Sequence, residues 1–290
     1  MQRPRSITLP RRLQIPRRES TDVAPVQSTL LALAVFLIPV LVLAFLILYL
    51  SPNNLSAELF AWPISPPMSA MMLGSTYLGG AYFFAIVLRS RQWRHVWLGF
   101  LPITVFAGVL GVATILHWDI FDPGHLGFQL WAALYFLVPL ILPILWYRNH
   151  RLTTVYPMGR EGELPNPIRW AFAGLGIVLT FLGLLLFILP EQMIDVWPWA
   201  LTPLTARTMA AIYLLPGLVS LSIAYEFSWS ASRYLLQAMA VTLVPTLIAV
   251  FLNRGDFDWS SFASWGFTGG LVAILILLAV TYWSMSQQHG

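Results

Sequence analysis

The chain has no cysteine among its 290 residues, which removes disulfides, thiolate metal sites, iron–sulfur ligation and thiol nucleophiles together. It has no lysine either, so Schiff-base chemistry on an amine, including a retinal-type linkage, is excluded and all 16 basic residues are arginine. Exclusive arginine use is a habit of GC-rich genomes and points to a bacterial source. Charge is scarce: 10% of residues are charged, against roughly 25% in an ordinary soluble domain, while 58% are hydrophobic and the mean hydropathy is +0.73. Lipid is the solvent such a chain expects.

The apolar residues fall in blocks of about 20, the length that crosses a hydrocarbon core of about 30 Å at 1.5 Å per helical residue. The blocks lie near 29–50, 67–88, 96–116, 126–147, 170–189, 204–225, 233–252 and 262–283, and predict an all-α, polytopic membrane protein with about eight transmembrane helices. Composition divides the chain into a disordered arginine-rich cytoplasmic tail (1–27), a four-helix unit (28–147), a polar cytoplasmic linker (148–169), a second four-helix unit (170–284) and a short cytoplasmic tail (285–290). The first block is too long for a signal-peptide core and is expected to stay as a span.

Arginine bias sets the orientation. With both termini cytoplasmic at an inner, plasma membrane, 14 of 16 arginines fall inside, leaving only Arg207 and Arg254 among outer loops rich in Asp and Glu. The net charge of +4 therefore reads as orientation against an anionic leaflet, with membrane lipids and other membrane subunits as partners and no nucleic acid.

A shift of 136 residues lays the second unit on the first. Pro67, Ala70, Tyr77, Trp93, Phe121 and Asp122 then meet Pro203, Ala206, Tyr213, Trp229, Phe257 and Asp258, and Trp62-Pro63 meets Trp197-Pro198 after a one-residue adjustment. Each unit holds an even number of spans, so the two are expected to be parallel tandem repeats related by an axis along the membrane normal.

Three features are candidates for function. The Trp-Pro segments that open the even-numbered spans suggest an outer-face pocket at the repeat axis, built from Trp62, Ser69, Tyr77, Trp197, Thr205, Arg207 and Tyr213. Interfacial anchoring by tryptophan and a proline start explain the same letters without a ligand. The outer loops carry His117, Asp119, Asp122 and His125 in the first unit and Asp256 and Asp258 in the second, residue types that accept zinc or manganese but in no known ligand spacing. Arg207 lies about one turn inside a span, and Asp195, 12 residues upstream, is its expected partner.

Elsewhere the spans lack Asp, Glu, Arg and His near mid-bilayer, which weighs against proton-coupled transport and bis-histidine haem. Ala70-xxx-Gly74, Ser75-xxx-Gly79, Ala107-xxx-Gly111 and Gly266-xxx-Gly270 predict close helix contacts. No signature names a cofactor, so the cofactor is unknown. With 13 Trp, 10 Tyr and 18 Phe but no acid–base pair, the composition favours a non-catalytic scaffold, accessory subunit or binder of a lipid-like or other apolar molecule. A transporter of an uncharged or lipid-like solute, or an enzyme using the outer-loop carboxylates, are the alternatives.

Overall fold

The computed structural model describes residues 24–52, 55–155 and 162–289, so most of the arginine-rich tail lies outside the described residues. The chain is an all-α polytopic membrane protein, with eight helices long and apolar enough to cross a bilayer and, among the described residues, no strand beyond two isolated bridges. The helices are α1 (Ser28–Phe45, continued by a π-helical turn over Leu46–Leu50), the short α2 (Leu55–Leu59), α3 (Pro67–Ser90), α4 (Trp97–Leu116), α5 (Leu126–His150), α6 (Asn166–Ile188), the short α7 (Pro190–Val196), α8 (Pro203–Glu226), α9 (Trp229–Leu252) and α10 (Phe262–His289).

Helices overrun the apolar blocks at several ends. Helix α6 starts at Asn166, α9 at Trp229, and α10 runs on to His289 through most of the segment expected as a C-terminal tail. Hydropathy marks the hydrocarbon thickness, whereas a helix continues into the interface until a cap or proline stops it.

Helices α3, α4, α8 and α9 form the inner bundle, with α3 packed on α9 and α4 on α8, while α1, α5, α6 and α10 lie outside them. The outer helices turn large apolar side chains outward, among them Phe36, Leu140, Phe181 and Trp283. An outward apolar face is what lipid requires and water would penalise.

Glycine sets the closest crossings. A Cβ on Gly79 would stand 1.9 Å from Thr242 Oγ1 and 3.0 Å from the Ala238 carbonyl of α9, and one on Gly111 would stand 2.5 Å from the Tyr135 carbonyl of α5. The expected Gly266-xxx-Gly270 contact is absent: nothing lies within 4 Å of a Cβ on Gly270, because that stripe of α10 faces away from the bundle.

Corresponding corners close α3 and α8. Each helix has 24 residues and ends on a non-glycine residue in the left-handed region, Arg91 at φ 50° and Phe227 at φ 44°, which lie 136 positions apart. The Arg91 carbonyl accepts from Val26 N at 3.0 Å and Trp93 N donates to Ala24 at 2.9 Å; the Phe227 carbonyl accepts from Leu164 N at 2.9 Å and Trp229 N donates to Gly162 at 3.2 Å. Two extended segments, each leading into an outer helix, thereby hold a backbone conformation that costs a bulky residue on the order of 1–2 kcal/mol.

Candidate functional site

The expected outer-face pocket is a filled aromatic cluster. Trp62 packs edge-on against Phe121 at 5.5 Å and Trp131 at 4.8 Å, and beside Phe60 at 5.3 Å. The second half repeats this geometry around Trp199, which meets Phe257 at 5.0 Å, Phe267 at 5.0 Å and Trp197 at 5.5 Å. By its ring contacts Trp199, rather than Trp197, matches Trp62, and Trp197 matches Phe60, since each of these two also packs on a tyrosine, Tyr213 and Tyr77. Pro198 stands between the two tryptophans, so the Trp-Pro letters pair Trp62 with Trp197 while the ring contacts pair it with Trp199.

Ser69 and Thr205 are buried in helix first turns. Ser69 Oγ accepts from Trp199 Nε1 at 2.8 Å, across the two halves, while Thr205 pairs locally with Thr202 Oγ1 at 2.9 Å. The α3 start is also capped across the halves, since Met68 N donates to Asp256 Oδ2 at 3.3 Å. Thr202 caps α8 from its own chain neighbourhood, accepting from Thr205 N at 3.2 Å.

Arg207 does not meet Asp195. Its Nη1 donates to His117 Nε2 at 2.6 Å and its Nε to the Phe187 carbonyl at 3.2 Å. Burial, then the Arg207 charge, push His117 below the ordinary imidazole value, with Glu191 opposing. Facing a group that can only donate, His117 Nε2 is the acceptor. At the corresponding positions Asn253 Nδ2 donates to Met71 Sδ at 3.0 Å, an uncharged version of the same contact.

The outer-loop carboxylates do not converge. Asp122 Oδ1 accepts from Gly124 N at 2.8 Å, and Asp258 Oδ1 accepts from Ser260 N at 3.0 Å and Oγ at 2.6 Å, which lower its pKa. Asp256 caps α3, Asp119 is exposed, and His125 Nε2 donates to the Glu58 carbonyl at 2.9 Å. Among the described residues no three His, Asp or Glu side chains gather as a metal site. The acidic letters serve turns and caps.

On the opposite face lies a cluster that spacing did not reveal. His95 is buried with Nδ1 2.6 Å from Ser90 Oγ, and Arg233 Nη2 approaches its Nε2 at 3.4 Å. A guanidinium can only donate, so Nε2 is the accepting nitrogen of the Arg233 contact.

The interior is open at mid-span. A cavity of about 130 Å³ is bounded by α3, α4, α8 and α9, with Leu179 of α6 and Leu271 and Ile274 of α10 on its outer side. Its lining runs from Met72 to Phe83 along α3, about 16 Å at the helical rise, and includes no charged residue and no loop residue. A second cavity of about 60 Å³ lies among α1, α3, α4 and α5. The two share a pattern: Tyr77, Ile103, Phe106, Tyr135 and Val138 line the smaller where Tyr213, Met239, Thr242, Leu271 and Ile274 line the larger.

Tyr77 and Tyr213 thus project into cavities rather than toward an outer-face pocket. Tyr77 Oη lies 2.8 Å from Tyr135 Oη, whereas the Tyr213 hydroxyl has no hydrogen-bond partner among the described residues. Aligning the halves for side-chain size would have singled out Tyr135 and Leu271. No family model matches the chain, and the searches of curated proteins and of solved structures found no match.

Proposed function

We propose that the chain is a non-catalytic membrane protein that binds a lipid-like or other apolar molecule in the larger mid-span cavity. One observation carries this reading: an uncharged, apolar cavity of about 130 Å³ lies between helices that elsewhere approach closely at glycines, where protein interiors are ordinarily filled. An apolar cavity of about 150 Å³ in another protein stays dry and takes up benzene, so the size suits a small ring or a length of chain. Helices α6 and α10, which flank the cavity on its lipid side, do not pack along each other, which favours entry from the bilayer.

The same reading takes the halves as parallel tandem repeats with both termini cytoplasmic. Reciprocal packing of α3 on α9 and α4 on α8 supports a pseudo-twofold axis, because an isologous interface exchanges the same two surfaces. Corresponding corners at Arg91 and Phe227 support it independently. Reporter fusions at residues 20, 155 and 288 are expected to lie inside, and one outside would remove the topology.

Native mass spectrometry from nanodiscs tests the binding. A bound lipid-like mass is expected with the wild-type chain and a lower occupancy with Leu271→Phe, which fills the cavity. A chain that carries nothing from any lipid mixture, with Leu271→Phe indistinguishable, would sink the reading.

A further inference from the structure

We propose that the ligand of the larger cavity is a neutral molecule with one hydroxyl or carbonyl oxygen on an otherwise apolar ring or chain, held by the Tyr213 hydroxyl. This rests on the cavity being a ligand site. The first half displays the contact that the ligand makes: Tyr77 meets the phenol of Tyr135 at 2.8 Å inside the smaller cavity. In the second half Leu271 replaces Tyr135, so the corresponding tyrosine, Tyr213, faces open space with an unpaired hydroxyl. A ligand oxygen placed where the Tyr135 hydroxyl would fall restores the pair.

Neighbouring groups point the same way. Trp197 packs edge-on against Tyr213 at 5.7 Å, and its indole N–H is buried without a hydrogen-bond partner, where the first half has Phe60, which carries no such donor. Thr268, one turn from Leu271, has a buried hydroxyl without a partner where the first half has Ala132. Neither Trp197 nor Thr268 lines the cavity itself, but each adjoins a residue that does, and buried polar groups without partners are costly, so this side of the bundle lacks a polar partner for the Tyr213 hydroxyl. Thr242 does not supply it, because its hydroxyl donates to the Ala238 carbonyl of its own helix at 3.2 Å. The absence of charge in the lining keeps the ligand neutral.

The test compares 4-propylphenol with propylbenzene on the full chain in nanodiscs, at equal membrane concentration and against empty nanodiscs. The phenol is expected to bind the wild-type chain about 5- to 10-fold more tightly, the worth of one hydrogen bond. Tyr213→Phe is expected to erase that preference while keeping propylbenzene, and Leu271→Tyr to exclude both probes. Equal binding of the two probes to the wild type, or a preference that survives Tyr213→Phe, overturns the inference and leaves the apolar site standing. If neither probe binds the wild type, the cavity reading falls and this inference with it.

Discussion

The two mid-span cavities are framed by helices at corresponding chain positions, yet one is closed by its own side chains and the other is not. Phe106 and Tyr135 fill the first, while Thr242 and Leu271 leave the second about twice as large, at about 130 against 60 Å³. All six buried side-chain polar atoms without a hydrogen bond among the described residues, including those of Trp197 and Thr268, belong to the second half. A backbone frame therefore does not decide whether an interior is solid. Two side chains and the partners they supply decide it.

Exchanging those side chains gives the largest expected effect. Tyr135→Leu opens the closed cavity and strands the Tyr77 hydroxyl, at an expected cost of about 2–4 kcal/mol in detergent thermal unfolding. Its mirror, Leu271→Tyr, gives Tyr213 a partner and is expected to hold stability or add about 1 kcal/mol. Equal losses from both would mean that the halves are packed alike and end the comparison.

Helix crossings come next. Gly79→Ala forces a methyl against Thr242 and the Ala238 carbonyl and is expected to cost about 1–3 kcal/mol, whereas Gly270→Ala meets nothing and stays within about 0.5 kcal/mol or stabilises its helix. Unfolding temperatures of the pair check this.

A smaller effect separates His117–Arg207 from Asn253–Met71. Because folding lowers the His117 pKa, the unfolded chain binds the proton more readily, so this contribution is complete above about pH 6.5, the ordinary value, and is lost as pH falls through the folded value. Unfolding temperatures between pH 8 and pH 5 are expected to fall more for the wild type than for His117→Asn, which copies the second half. Parallel slopes would show that His117 titrates alike folded and unfolded.

The smallest effect lies at the two left-handed corners. Arg91→Gly relieves the backbone and is expected to gain up to about 1 kcal/mol. Phe227→Gly gains the same relief but loses the ring under the Arg169 guanidinium, 4.0 Å away, and is expected to be near neutral. Chemical or thermal unfolding that ranks them the other way would place the strain elsewhere.

The spans were legible in the sequence because bilayer thickness imposes one length on all of them, and the polar loops between them show as breaks. Contacts set by distant positions were not. Asp195 is Arg207's near neighbour in sequence, but its actual partner, His117, is 90 residues away on the other half. Trp199 is not singled out by the letters, because Pro198 follows Trp197 as Pro63 follows Trp62. Gly266 and Gly270 carried the right spacing for a helix contact, yet spacing does not say which way a helix face turns. The cavity was hidden for a related reason: Leu271 looks like any other leucine until it is set against Tyr135.

The borrowed cap on α3 also bears on how the chain is made. Helix α8 can close its first turn with Thr202 as soon as that segment emerges, but α3 takes its partners from Asp256 and Trp199, synthesised well over a hundred residues later. Until those residues are made α3 lacks both contacts, and a chain truncated before Trp199 is expected to hold α3 more loosely than the complete protein. The cap that completes the first half is thus encoded in the second.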